Sequence, residues 1–227
     1  MDARLRQATR RSRRGSALLC LLVLSLLAVG SATATVAPQP GDFQGCPERG
    51  QGGDPDLNRV KNRSAAVTAP QSMTVAQLNA LPLPLEALRG KRARWPASTV
   101  AEVSALEQQG VVVEGFLIGA KQSGTETTNC RRKELRDDHL WIVEAQDHAR
   151  AQAVVAEVTP RWLAANPGWR LRFLTRLANQ RARVRLTGWL MLDPEHPEQI
   201  GKTRGGLWEV HPITTIEVFS GGRWIEL

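Results

Sequence analysis

Short runs rich in apolar and β-branched residues, separated by polar stretches, fill the C-terminal half of the chain. Such runs are typical of strands that place one face in a core. Five strands are predicted, over residues 111–118, 139–145, 153–158, 182–192 and 207–219. Their predicted phase places these side chains in the core: Val113, Leu140, Ile142, Val154, Val158, Leu186, Leu190, Val210 and Ile216.

Helical patterns lie before the strands and between the third and the fourth. Residues 72–81 and 99–109 are predicted helices, and Thr99 and Glu102 have the spacing of a capping box. Thr159, followed by proline, is predicted to cap the helical region before the fourth strand. This order of elements is that of the five-stranded oligonucleotide/oligosaccharide-binding (OB) barrel. We therefore expect a mainly β fold, an OB-like β-barrel with N-terminal helices; another small barrel or an α+β sandwich is the alternative.

The first 34 residues have the pattern of a secretory signal peptide. Six arginines precede an apolar run from Ala17 to Val29, and small residues follow it up to Ala34. The run has 13 residues, fewer than the roughly 20 that span a bilayer. We expect cleavage after Ala34 or Ala32, no membrane span in the mature chain, and a periplasmic or secreted location. An uncleaved anchor is the alternative.

Most of the excess positive charge belongs to this predicted signal peptide. The whole chain has 30 basic and 22 acidic residues; the signal holds 6 and 1 of them, which leaves 24 against 21. The high overall basicity therefore gives no argument for a nucleic-acid partner.

The region between the signal and the predicted barrel divides into two parts. Residues 35–71 are rich in Pro, Gly and polar residues, which predicts a disordered linker, and residues 72–110 are predicted to be a helical segment. The barrel domain then covers residues 111–227. Cys46 and Cys130 follow the signal, and they form either a disulfide, which persists in an oxidising compartment, or two free thiols.

Histidines and carboxylates gather at the two loops that flank the ligand surface of an OB barrel. Glu209 and His211 are two positions apart, so their side chains share one face of a strand. Imidazole and carboxylate groups are suitable ligands for Zn²⁺ or another divalent metal. A structural hydrogen-bonded network is the alternative. The candidate metal ligands are Asp138, His139, Asp193, His196, Glu209 and His211.

Four other residues are candidates for contact with an organic or anionic ligand. Lys202 and Arg204 lie in the last loop, where they can hold an anion, and Trp141 offers an aromatic surface. Glu157 interrupts an apolar strand, so it is either a general base on the ligand surface or a solvated or ion-paired carboxylate. No catalytic residue is assigned, because the sequence has neither a Gly-x-Ser-x-Gly elbow nor a phosphate-binding glycine loop.

The segments Gly188-Trp-Leu-Met-Leu-Asp-Pro-Glu-His196 and Trp208-Glu-Val-His-Pro212 resemble a group of uncharacterised bacterial exported proteins. The resemblance covers about residues 111–227. It implies an OB-type barrel and carries no established activity. Members of that group often have a second cysteine two positions before the one at Cys130, where this chain has Thr128, so a local thiol pair is not expected.

These patterns favour an exported binding module whose unidentified ligand lies at the loop end of the barrel. A metal-dependent hydrolase, acting for example on phosphodiesters, is an alternative that uses the same residues. A nucleic-acid-binding domain is a third, and it has the least support because few aromatic side chains are available for stacking on bases.

Overall fold

The computed structural model describes residues 34–227, and all of the predicted signal peptide except Ala34 lies outside that range. None of the helices in the described part is long and apolar enough to cross a bilayer. Helices and strands follow one another in this order: α1 (Pro55–Lys61), β1 (Gln71–Met73), α2 (Val75–Asn79), α3 (Ala97–Glu107), β2 (Gly110–Gln122), β3 (Asp138–Val143), β4 (Val154–Val158), α4 (Pro160–Ala165), α5 (Leu171–Asn179), β5 (Arg183–Leu192), β6 (Trp208–Ser220) and β7 (Arg223–Glu226).

Five of these strands close into a barrel. β2 pairs with β3 and β5, β3 pairs with β4, and β6 pairs with β5, all antiparallel, while β4 and β6 are parallel. α4 and α5 lie between the third and fourth barrel strands, as in an OB fold. The predicted mainly β, OB-like architecture is confirmed. β1 adds to β2 in parallel, and β7 forms a hairpin with β6.

The core fills the inside of the barrel with the residues that the strand phase predicts. Each of the nine predicted core side chains is at most 1% exposed, from Val113 in β2 to Ile216 in β6. Trp162 and Trp169, from the region between β4 and β5, close one side of the same core. Burial of this apolar area is the main stabilising contribution to the fold.

The N-terminal helices differ from their prediction. α3 begins at Ala97 after Pro96, so Thr99 lies inside the helix and the predicted capping box with Glu102 is wrong. The predicted helix at 72–81 is shorter, because residues 71–73 pair with β2 and Thr74 caps α2. Pairing with a neighbouring strand outweighs local helix propensity there.

The predicted disordered linker at 35–71 is wrong, because this segment folds over the barrel. We call residues 35–63 the strap and residues 123–137 the β2–β3 loop. Cys46 of the strap forms a disulfide with Cys130 of the loop. Gly50 has a φ of 62°, and a Cβ there would lie 2.2 Å from the Thr127 carbonyl oxygen, so this contact requires glycine. A covalent bond and polar contacts therefore order a segment that has little apolar pattern.

A buried ion pair attaches α3 to the barrel. The guanidinium of Arg92 donates to both carboxylate oxygens of Glu107, at 2.6 and 2.5 Å, and both side chains are less than 10% exposed. The backbone N–H of Leu192, at the end of β5, donates to Glu107 at 3.0 Å, and its carbonyl accepts from Arg92 at 3.2 Å. Loss of one partner would leave the other as an unpaired buried charge.

Replacing Glu107 with alanine should therefore lower the free energy of unfolding by about 3 to 5 kcal/mol. Glu102→Ala on the exposed side of α3 is the matched control and should change it by less than about 0.5 kcal/mol. Urea denaturation followed by circular dichroism measures both. Equal effects of the two substitutions would contradict the stabilising role of the pair.

Candidate metal centre

The outer face of β3, β4 and β6 carries charged side chains at positions adjacent to the core residues. His139 and Glu157 are direct partners in the β3–β4 register. Glu209 and His211 flank the core residue Val210 on β6, so alternation along the strand turns both away from the barrel interior. We call these four residues the polar face.

The strap and the β2–β3 loop cover most of the polar face. Lys61, the last residue of α1, lies 3.1 Å from Glu126 of the loop. The side-chain amide of Asn62 donates to the Thr128 carbonyl oxygen at 3.0 Å. As a result Glu157, Glu209 and His211 are at most 3% exposed although they lie outside the barrel.

Glu157 lies at the middle of the polar face, between the two histidines. Its Oε1 is 3.1 Å from His139 Nε2, and its Oε2 is 3.2 Å from His211 Nδ1. His139 and His211 therefore reach the same carboxylate, as a shared site requires. Glu157 is 3% exposed, so the alternative that it is a solvated carboxylate is wrong.

Two groups of three residues each have the composition and spacing of metal ligands, and Glu157 belongs to both. One ligand atom from each residue of a group lies within 4.8 Å of the other two. We call Glu126, His139 and Glu157 the outer group, because all three border a cavity. Asp137, Glu157 and His211 form the inner group, whose members are each at most 3% exposed.

Several buried polar atoms of the inner group have no hydrogen-bond partner among residues 34–227. These are Oδ2 of Asp137, Oε2 of Glu157 and both ring nitrogens of His211, with Oε2 of Glu209 beside them. A buried polar atom without a partner destabilises a protein by about 1 to 3 kcal/mol, and more when it is charged. A bound metal ion would satisfy several of these atoms at once.

The cavity beside the outer group has a volume of about 280 Å³. Its acidic lining residues are Glu126, Glu157, Asp193, Glu195 and Glu209, and its lysine and arginine lining residues are Lys61 and Arg204. This excess of carboxylates attracts cations and repels polyanions.

Neighbouring charges and burial change the acidity of these groups. Although burial opposes it, the Lys61 ammonium holds the pKa of Glu126 well below its usual range. Burial, together with the charge of Glu126, raises the pKa of Asp137 well above its usual value, and burial raises the pKa of Glu209 to about 7. In the metal-free centre some carboxyl groups therefore keep their protons. A metal ion that binds there would displace those protons.

Arg204 and Asp193 belong to an internal ion-pair network. The guanidinium of Arg204 donates to Asp193 at 3.0 Å, to Glu209 at 2.5 Å and to the Gly206 carbonyl oxygen at 2.7 Å. Its side chain is 2% exposed. Arg204 therefore neutralises and positions two carboxylates, and it is not available to hold an anionic ligand as the sequence suggested.

Four other sequence candidates lie apart from the two groups. Asp138 is two positions before Leu140 on β3, so its side chain is on the same, inward face of the strand, and it does not line the cavity. This position does not support the prediction that Asp138 is a metal ligand beside His139. His196 lies at the cavity rim, with a side chain that is 50% exposed. Trp141 borders the cavity beneath the Arg150 guanidinium, which is 3.6 Å from the ring centroid. Lys202 is exposed and lines a neighbouring cleft.

Lys61, Glu126 and Asp137 are the site residues that sequence reasoning missed. Strand alternation gives a signal for Asp137, because it is two positions from His139 and therefore has the same phase. Lys61 and Glu126 lie in polar segments with no periodicity. Only the disulfide and the contacts between strap and loop bring them to the polar face.

Comparison of the chain with known protein families, with curated proteins and with solved structures gives no match. The chemistry of the centre therefore has to be inferred from its own geometry.

In the metal-free protein His139 and His211 should differ in protonation. Although burial disfavours the imidazolium, Glu157 and Glu126 raise the pKa of His139 to about 11. Burial lowers the pKa of His211 to about 4. At pH 7.5, ¹⁵N NMR of the imidazole nitrogens should show a charged His139 and a neutral His211. Titration of His139 near pH 6.5 would contradict the ion pair with Glu157.

The ion pair between His139 and Glu157 stabilises the fold fully below pH 6.5, and this contribution decreases as the pH rises towards 11.

Proposed function

We propose that this protein is an exported binding module whose ligand includes a divalent transition-metal ion, held by Asp137, Glu157 and His211. The observation that carries the proposal is a fully buried imidazole with no hydrogen-bond partner on either nitrogen within the described chain, next to carboxylate oxygens that are also unpaired. Such an arrangement is unfavourable without an ion and favourable with one.

The spacing of the ligand atoms supports this proposal. Ligand atoms lie about 2.0 to 2.2 Å from Zn²⁺, so two of them at 90° to 109° are about 3.0 to 3.4 Å apart. The 3.2 Å between Glu157 Oε2 and His211 Nδ1 falls in this range. One carboxylate oxygen of Asp137 lies within 4.8 Å of the ligand atoms of Glu157 and His211, so Asp137 has to move closer to join the ion.

The mixture of imidazole and carboxylate favours particular metals. Imidazole suits Zn²⁺, Fe²⁺, Cu²⁺ and Ni²⁺, whereas Mg²⁺ and Ca²⁺ prefer oxygen ligands alone. We therefore expect Zn²⁺ or another transition metal at the centre.

Two further observations support export and disfavour nucleic acid as the ligand. The Cys46–Cys130 disulfide is of the kind that persists in the periplasm or outside the cell. The carboxylate-rich cavity repels a phosphate backbone, and the guanidinium of Arg204 is already paired with Asp193 and Glu209.

Metal-dependent hydrolysis is the second candidate function. It is favoured by the cavity of about 280 Å³, which reaches Glu157 and has room for a small substrate beside the ligands. A metal ion there would lower the pKa of a bound water and so provide a nucleophile.

Metal content gives the direct test of the binding proposal. Refolded protein dialysed against Zn²⁺ should retain it by elemental analysis, and Glu157→Gln and His211→Ala should each weaken binding more than about 100-fold, beyond the effect typical of outer-shell partners. The matched control His148→Ala removes a histidine outside the cavity and should retain the metal. Full retention by both ligand variants, or no retention by the wild type, would contradict the proposal.

Hydrolysis is tested separately with bis(p-nitrophenyl) phosphate and the Zn²⁺- or Mn²⁺-loaded protein. Release of p-nitrophenol should disappear on chelation and in Glu157→Gln if the protein is a hydrolase. Metal binding without any turnover would leave the binding module as the function.

A further inference from the structure

We propose that the centre holds two divalent transition-metal ions bridged by the carboxylate of Glu157, one in the inner group and one in the outer group. This inference rests on the proposed metal-binding function and goes beyond it, because that function needs only the inner ion. Each oxygen of Glu157 faces a different histidine, which is the arrangement of a bridging carboxylate.

The two carboxylate oxygens of Glu157 lie at nearly the same distance from the histidine nitrogens that they face. Oε1 is 3.1 Å from His139 Nε2, and Oε2 is 3.2 Å from His211 Nδ1. Both distances fit two ligands at about 2.1 Å from a common ion. A single ion cannot make full use of both pairs, because each histidine is close to a different oxygen of the carboxylate and belongs to a different group. Two ions about 3.5 to 4 Å apart can do so.

The outer group supplies the ligands for a second ion. Glu126 Oε1 lies 3.8 Å from His139 Nε2. The other oxygen of Glu126 accepts a hydrogen bond from Lys61 at 3.1 Å, which orients the carboxylate and leaves Oε1 towards His139. Within the described residues, Glu157 is nine-tenths buried or more, and its Oε2 has no hydrogen-bond partner.

The charge of the centre also suits two ions. Five buried or half-buried carboxylates converge there, and two side chains with permanent positive charge, Lys61 and Arg204, offset two of them. Three negative charges remain. One divalent ion in the inner group, together with the charged His139, balances them. A second ion in the outer group replaces the His139 proton and leaves one positive charge, which a hydroxide or another small anion in the cavity balances. The five carboxylates are Glu126, Asp137, Glu157, Asp193 and Glu209.

The two positions differ in access. Every ligand of the outer ion borders the cavity, whereas His211 and Asp137 do not line it. The inner ion is therefore enclosed and exchanges slowly, and the outer ion keeps a coordination position open to water or a small oxyanion. This asymmetry makes the outer ion easier to remove.

Zn²⁺ stoichiometry, measured by native mass spectrometry of the full mature chain, tests the inference. The wild type should bind two Zn²⁺ per chain. Glu126→Gln, which keeps the side-chain volume, should bind one with an affinity close to that of the tighter wild-type site. Glu198→Gln, an exposed carboxylate near the rim, is the matched control and should bind two.

Each other outcome has a distinct meaning. One Zn²⁺ in both the wild type and Glu126→Gln would overturn the two-ion centre and leave the proposed function standing. One Zn²⁺ in the wild type and none in Glu126→Gln would place a single ion in the outer group and overturn both. No Zn²⁺ in the wild type would overturn the proposed function and this inference with it.

Electron paramagnetic resonance with Mn²⁺ tests the bridge without a variant that could unfold. Two Mn²⁺ ions that share the Glu157 carboxylate should give an exchange-coupled spectrum when two equivalents are added. Isolated six-line signals at two equivalents would show that the ions are not bridged and would overturn the inference.

Discussion

The covering of a charged strand face is the constraint on which the rest of the structure depends. Core residues in β3, β4 and β6 point into the barrel, and the alternate positions of the same strands carry His139, Glu157, Glu209 and His211. In an ordinary half-exposed sheet such residues would be solvated. Here the strap and the β2–β3 loop bury Glu157, Glu209 and His211, so each buried charge must find a partner within the protein or bind an ion.

The disulfide and Lys61 give this cover its specific position. Cys46–Cys130 ties the strap to the loop that carries Glu126 and Asp137. Lys61 then places a positive charge against Glu126 and reduces the repulsion among the carboxylates. Part of the negative charge is balanced by Arg204, which pairs with Asp193 and Glu209. The ligand atoms nearest to Glu157 remain without such partners, and we infer that this is where metal binds.

The barrel could be predicted from the sequence because its strands follow a simple alternation that burial enforces. The phase of Val210 in the core places Glu209 and His211 together on the other face, so that part of the site was predictable as well. The register between the strands could not be predicted, and this register places His139 opposite Glu157. The strap was missed because a disulfide, glycines with positive φ and buried polar contacts order it, and these leave no hydrophobic periodicity. Arg204 was assigned to ligand binding because a sequence does not show that two carboxylates already occupy its guanidinium.

Anomalous X-ray diffraction at the zinc absorption edge, on crystals of the mature chain grown with Zn²⁺, tests most directly whether Glu157 is the centre of a metal site. We expect anomalous density within about 2.0 to 2.2 Å of a Glu157 carboxylate oxygen and of a His211 ring nitrogen. Crystals that show no anomalous density near Glu157, or zinc bound only at exposed histidines such as His196, would contradict the account and leave the polar face as a structural charge network.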